Sequence, residues 1–275
     1  MKNITIIQSL INPKIKHLVA LQKKAYRHEH GQFLAQGATV YKTLLEAGLK
    51  LHSVFVTAQA YDEHHEMIKP DTMYEITDVV LKKISTETTP SGLVAVFEIP
   101  KNSYNGLDPR SESGMTEVES ADVTANSLVL HNIQDPGNMG TLIRTAAAMN
   151  IKTIFTMQGV DAYHPKVVQA TAGTIGFVTI VPTNWPIFYK TYKHLSMCAL
   201  VVDGGLSPEQ INLKNCMLVI GNEGAGLPPD IIRDCHEKLT IPMPGKTESL
   251  NAAVAGSIAM YLKSTGSLIP AKAGI

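Results

Sequence analysis

Three short clusters in the second half of the chain hold the residue types that could do chemistry. The first reads Asn132-Ile133-Gln134-Asp135-Pro136-Gly137-Asn138-Met139-Gly140-Thr141-Leu142-Ile143-Arg144 and joins an apolar run to a helical pattern. Asn138 is placed to cap that helix. Arg144, six residues on, offers a planar fork of donors suited to an anionic ligand. A plain capped helix with one surface arginine would account for the same residues. The second cluster, Leu218-Val219-Ile220-Gly221-Asn222-Glu223-Gly224-Ala225-Gly226-Leu227-Pro228, sets glycines behind an apolar run, where backbone can come close to a ligand. Glu223 is its single carboxylate. The third, Ile241-Pro242-Met243-Pro244-Gly245-Lys246-Thr247-Glu248-Ser249-Leu250-Asn251, is a proline-stiffened loop that opens a helix of small residues, Ala252 to Met260. Ser249 and Asn251 supply a hydroxyl and an amide at the helix entrance, and simple capping by Ser249 is the bland alternative.

Missing patterns narrow the chemistry. The glycine spacing G-x-x-G-x-G is not the dinucleotide fingerprint, and no phosphate loop of the form G-x-x-x-x-G-K-[ST] occurs. G-x-S-x-G is missing too, and no histidine stands at a spacing that would make Ser249 a hydrolase nucleophile. Cys198, Cys216 and Cys235 are scattered and form no C-x-x-C, so reduced thiols and no metal site are expected.

The elements that must hold these clusters follow from hydrophobic pattern. Apolar runs at 127–131, 152–156, 177–181, 198–202 and 217–220 alternate with helical segments at 140–149, 166–172 and 251–263. This predicts an α/β fold with a mostly parallel sheet covered on both faces. Ligands in such sheets bind beyond the carboxyl ends of the strands. Upstream, helices at 40–47 and 77–84 alternate with strands at 51–56 and 93–97, a smaller αβ unit. Between the two lies a stretch at 100–125 with Gly, Ser, Asn, Pro and five carboxylates, read as a solvated linker. The expected domains are residues 1–98, an acidic linker at 99–125, and residues 126–275.

The 275 residues carry 24 basic and 24 acidic side chains, so the chain is not a globally basic nucleic-acid coat. The zero sum conceals an asymmetry. Residues 1–56 hold eight Lys or Arg against two Glu, while residues 57–125 hold five basic against thirteen acidic groups. The surplus gathers around Lys14, Lys16, Lys23, Lys24 and Arg27 in a helical pattern whose apolar positions turn inward. It is either a solvated face or a phosphate-contacting one. No apolar run approaches the length of a membrane span, and Met1 to Ser9 lacks the pattern of a signal peptide, so a cytoplasmic protein is expected.

Taken in order, the three clusters resemble the SpoU (TrmH) family of RNA ribose 2′-O-methyltransferases in the SPOUT class, over roughly residues 126–265. Asn12-Pro13-Lys14-Ile15-Lys16 and Gly31-Gln32-Phe33-Leu34 resemble the L30e-like substrate-binding domain often fused to that family. Two departures stand out. Gln36 occupies a position where relatives usually carry Glu, and Ala147 one where Asp is common. The resemblance implies a C-terminal sheet with a deep trefoil knot, S-adenosylmethionine as methyl donor, a homodimer, and RNA, in particular 23S ribosomal RNA, as substrate. It implies catalytic roles for Arg144, Asn138, Glu223, Ser249 and Asn251, and donor binding by the backbone around Gly221, Ile241 and Leu250, with no metal. Two alternatives are a non-catalytic RNA-binding or ribosome-assembly protein that keeps the fold, and an enzyme directed to transfer RNA.

Overall fold

The computed structural model describes residues 5–68, 73–103, 123–247 and 249–266. Most of the expected acidic linker lies outside the described residues. The chain divides into two compact units, Met1–Lys101 with Asp161–Phe177, and Asn102–Val160 with Val178–Ile275.

In the first unit the order is β1 (Thr5–Ile7), α1 (Pro13–Ala20), α2 (Lys24–His30), β2 (Gln32–Gln36), α3 (Ala38–Glu46), β3 (Leu51–Val56), α4 (Ala58–His64), β4 (Met73–Ile76), α5 (Asp78–Ile84) and β5 (Leu93–Glu98). The sheet order is β1-β4-β3-β5-β2, with β5 antiparallel to both its neighbours. α1 starts where Asn12 accepts from the Lys14 N–H and Pro13 fills the first turn. Its Ile15 and Leu18 join Leu34, Phe55, Val80, Ile84, Val94 and Val96 in one core.

Lys14, Lys16, Lys23 and Lys24 face solvent as the helical pattern predicts. Arg27 does not. It is 1% exposed, donates from Nε to Asp161 at 3.0 Å, pairs with the same carboxylate through its second arm, and gives its remaining arm to the carbonyls of Leu21 and Gln22. A buried guanidinium survives only when its donors are met in this way.

Asp161 belongs to an excursion, Asp161–Phe177, which carries α7 (Pro165–Ala170) against β2. Two glycines let it lie close: a Cβ on Gly173 would stand 2.8 Å from the Val40 carbonyl oxygen, and one on Gly176 would stand 2.6 Å from the Ala47 Cβ. Gln36 is also accounted for locally. Its amide donates to Thr86 Oγ1 and accepts from the Ser85 hydroxyl and the Thr86 N–H, which a carboxylate could not fully do.

The second unit contains β6 (Leu128–His131), α6 (Pro136–Ala148), β7 (Thr153–Met157), β8 (Thr179–Pro182), α8 (Trp185–Tyr192), β9 (Met197–Leu200), β10 (Met217–Ile220), α9 (Pro229–Asp234), β11 (Glu237–Leu239) and α10 (Ala252–Thr265). Its six strands are all parallel, in the order β11-β9-β10-β6-β7-β8. The strands are apolar on both sides because helices cover both faces. β11 escapes the hydrophobic pattern because its three residues include Glu237 and Lys238, which an edge strand tolerates.

The small residues of α10 serve the interior. A Cβ on Gly256 would stand 2.5 Å from Leu142 and 2.7 Å from Ile220, so the glycine sets how closely α10 approaches α6 and β10. At the far end of α10, Lys263 is buried and its ammonium donates to the carbonyls of Leu213, Lys214 and Cys216 at 2.9, 3.1 and 2.9 Å.

A candidate active site at the carboxyl ends of the parallel strands

β6, β10, β9 and β11 are neighbours, and the loops leaving their carboxyl ends are residues 132–135, 221–228, 201–206 and, among the described residues, 240–247 with 249–251. All three motif clusters therefore open on one end of the second unit's sheet, where parallel αβ folds bind ligands.

A chain of side-chain hydrogen bonds joins the clusters. Asn251 donates from Nδ2 to Asn138 Oδ1 at 3.0 Å, and Asn138 donates from Nδ2 to Glu223 Oε1 at 3.1 Å. The backbone N–H groups of Asp135 and Gln134 also donate to Glu223, at 3.1 and 3.3 Å, as does the Asn222 amide at 3.2 Å. Burial alone would raise the Glu223 pKa. The hydrogen bonds from Asn138, Glu223's own N–H, Asp135 and Gln134 together outweigh it and hold the carboxyl below its ordinary value.

The caps differ from those expected. Asp135, not Asn138, caps α6: its carboxylate accepts from the Asn138 N–H at 2.8 Å, and Pro136 fills the first helical position. The competing Asp-Pro pair wins the cap and frees the Asn138 amide for the two clusters on either side. In the third cluster Asn251, not Ser249, is the cap, accepting from the N–H groups of Ala253 and Val254. Ser249 is exposed.

Arg144 is exposed on α6 and has no hydrogen-bond or ion-pair partner among the described residues. Six residues of helix turn it about 120° from Asn138, so this chain does not bring it into the Asn251–Asn138–Glu223 chain. Gly221 is buried. A Cβ there would stand 2.5–2.6 Å from the backbone of Gly226 and Leu227, so its bareness lets the loop close on itself. Ile241 and Leu250 are half-buried. Between them the backbone N–H and C=O groups of residues 242–247 and 249 make no hydrogen bond among the described residues.

Three features escape the sequence reading. Asn222 donates to the Asn132 carbonyl at 2.9 Å and accepts from the N–H groups of Gly224 and Ala225, stitching the second cluster to the first. The loop after β9, with Val202 and Leu206 exposed and Gly204 at φ 69°, adds an apolar lip. Its signal was the Gly204-Gly205 pair following an apolar run. His131, at the end of β6, is buried with Nδ1 unpartnered among the described residues; burial lowers its pKa against the raising effect of Asp230. Among the described residues no group of three or more His, Cys, Asp or Glu side chains could hold a metal ion, and no helix is long and apolar enough to cross a membrane.

The all-parallel sheet with these loops over its strand ends is the fold of the SPOUT-class methyltransferases, the class to which the similar solved structures belong. Residues 125–261 match the SpoU rRNA Methylase family and residues 12–95 match the MRM3-like substrate binding domain. The chain belongs to the SpoU rRNA methylase family, which uses S-adenosylmethionine. It is 26% identical to the 23S rRNA (guanosine(2553)-2′-O)-methyltransferase RlmP of Bacillus subtilis, over 93% of this chain and 97% of that protein. It is 29% identical to the 23S rRNA (guanosine-2′-O-)-methyltransferase RlmB of Bordetella pertussis, over 84% and 95%. The crystal structure of an AdoMet-bound rRNA methyltransferase from Sinorhizobium meliloti superposes with a TM-score of 0.77 at 26% identity, covering 96% of this chain and 99% of that one.

Proposed function

We infer that the protein transfers a methyl group from S-adenosylmethionine to a ribose 2′-hydroxyl of RNA, and we propose that this RNA is 23S ribosomal RNA. The observation that carries the reading is the Asn251–Asn138–Glu223 chain, which ties the three family motifs together over the strand ends. The relatives named for 23S rRNA support the substrate, since the chain spans nearly the whole of each.

The loops suit the methyl donor. The backbone groups of residues 242–247 and 249, unpaired among the described residues, offer donors and acceptors to a purine, the half-buried Ile241 and Leu250 with the exposed Val202 and Leu206 offer apolar contact, and the closed Gly221–Gly226 loop forms a wall. When bound, S-adenosylmethionine supplies an electrophilic methyl group on sulfonium. The protein's task is then to place the ribose oxygen in line and ease removal of its proton. Alignment of that kind is worth about 7–11 kcal/mol. Glu223 and Asn138 fix the loops, and Ser249 and Asn251 orient the ribose. Arg144, a guanidinium too weakly acidic to serve as a base, stabilises the forming alkoxide and holds the neighbouring phosphate.

Because Arg144 does not reach the motif chain within one protomer, it serves the site of a partner in a homodimer. The small face of α10 is spent inside the chain, so the dimer surface is its outer stripe, with Val254 and Tyr261 exposed and Ile258 half-buried between them. The C-terminal segment forms the trefoil knot of the family, and the enzyme acts in the cytoplasm, where ribosomal RNA resides.

Incubation with tritiated methyl donor and, separately, unmodified 23S rRNA and bulk tRNA tests the reading. Alkali-resistant label in 23S rRNA is expected. Label in tRNA alone would overturn the ribosomal assignment, and label in neither would overturn the function.

A further inference from the structure

We propose that the first unit carries a base-stacking platform, built from His17, Tyr26, His30 and Gln32, that takes an unpaired nucleotide of the RNA. The inference rests on the RNA-methylating function above and adds to it the surface that reads single-stranded RNA and the chemistry by which it does so.

Tyr26 and His30 stand one turn apart on α2, and their rings stack with centroids 3.9 Å apart and planes inclined by 20°. His17, from the last turn of α1, meets both edge-on at 5.5 and 5.4 Å. Hydrogen bonds lock the group. Tyr26 donates its hydroxyl proton to His17 Nδ1 at 3.0 Å, and His17 donates from Nε2 to Gln32 Oε1 at 2.8 Å, an oxygen that only accepts. This arrangement needs a neutral imidazole. Burial, the largest influence, with the charges of His30, His52 and Lys14, lowers the His17 pKa against the opposing Gln32 bond. His30 donates from Nδ1 to the Tyr26 carbonyl at 3.1 Å, which fixes its ring over the phenol.

The stack is not core. His30 is exposed and Tyr26 and Gln32 are half-buried, so one face of the pair remains open to solvent. The Gln32 amide nitrogen has no hydrogen-bond partner among the described residues. A preformed aromatic face beside a fixed amide donor suits the π-face and polar edge of an unstacked base.

The surrounding charge suits the backbone of the same strand. Lys14 precedes His17 by three residues, its ammonium lying over the Tyr74 ring at 4.6 Å, and Lys23 stands at the start of α2, three residues before Tyr26. The ion pairs of this unit among the described residues are Arg27–Asp161, Lys42–Glu46, Lys50–Glu98 and His64–Glu63, and none uses Lys14, Lys16, Lys23 or Lys24. Four exposed lysines without carboxylate partners beside a fixed stack of rings point to a polyanion that carries rings of its own.

The test titrates the full chain with a twelve-residue oligoadenylate holding a central 2-aminopurine, and with a blunt twelve-base-pair RNA duplex. His30→Ala is expected to weaken single-strand binding about tenfold, abolish the stacking change in 2-aminopurine fluorescence, and leave duplex binding within twofold. His30→Phe should restore both single-strand readouts. Lys14→Gln with Lys23→Gln should weaken both probes and reduce the single-strand salt slope by about 1.4. Wild-type single-strand affinity in His30→Ala, or equal loss on both probes, would overturn the platform. A cooperative melting transition like that of the wild type serves as the folding control. A protein that shows this pattern yet methylates no RNA loses the function and keeps the platform; one that methylates without the pattern loses the platform alone.

Discussion

Glu223 accepts from four donors in two of the three clusters, so its charge state is coupled to the shape of the site. Its folded pKa lies below the unfolded one, so the stability it contributes is present above the unfolded value and lost as pH falls through the lowered folded value. Glu223→Gln should therefore cost about 1–2 kcal/mol at pH 7, by turning an amide N–H toward donors, and should flatten the acid limb of a stability–pH profile measured by urea unfolding. An unaltered acid limb would mean that the carboxylate is not what the motif chain depends on. Arg144→Ala should lower methyl transfer by about 10²–10³ while leaving donor affinity within twofold, as single-turnover assays and calorimetry can separate. The types and order of the site residues were legible because their spacing is distinctive. Their hydrogen-bonding roles were not: both Asp135 and Asn138 are good caps, and only the position of Pro136 in the folded helix decides for Asp135 and releases Asn138. Asn222 stayed hidden because an amide in a glycine loop looks like turn chemistry until its partner 90 residues away is known.

At the scale of elements, strands β3 and β10 were legible to the residue, β3 as a stretch ending in Val-Phe-Val shortly after the helix-stopping Gly48, and β10 as an apolar run closed by Gly221. α9 and β11 were not, being short and polar, and the Val202 end of the expected fourth run leaves β9 to become the exposed lip of the site. The glycine loop was expected to be bare for the sake of a ligand, whereas its bareness at Gly221 lets Gly226 and Leu227 close over it. Gly221→Val should open that loop, so donor binding measured by calorimetry should fall at least tenfold while the melting transition remains cooperative. Wild-type affinity in a folded variant would remove the loop from the site. Lys263 holds α10 to three carbonyls with three donors, and burial draws its pKa down to about 8. Lys263→Met strands those acceptors and should cost about 2–4 kcal/mol in urea unfolding. A loss below 0.5 kcal/mol would mean that water satisfies them equally well.

For the whole molecule, the chain divides into two compact units, and the assignment of Asp161–Phe177 to the first of them was not legible in the sequence. In sequence that stretch looks like an ordinary crossover between parallel strands, and nothing in its periodicity says which sheet it covers. What fixes it is an interaction between residues 134 apart: Arg27, buried among the first helices, is completed by Asp161. The arginine first read as one of a phosphate-contacting set is therefore spent on internal architecture, and the remaining lysines carry the surface charge. Removing one partner of a buried pair leaves the other uncompensated, which costs about 3–5 kcal/mol. Arg27→Met strands the Asp161 carboxylate together with the Leu21 and Gln22 carbonyls, and Asp161→Asn strands the guanidinium. Each single variant should thus lose about 3 kcal/mol in urea unfolding, and the double variant should lose clearly less than the sum, because the second change removes the charge exposed by the first. The same variants separate architecture from RNA contact: Arg27→Met, assayed below its unfolding range, should keep the wild-type salt slope for RNA, whereas Lys14→Gln with Lys23→Gln should lower it. Additive losses in the cycle, or a reduced salt slope in Arg27→Met, would show that Arg27 meets phosphate and that the Asp161–Phe177 strap is held by its apolar contacts alone.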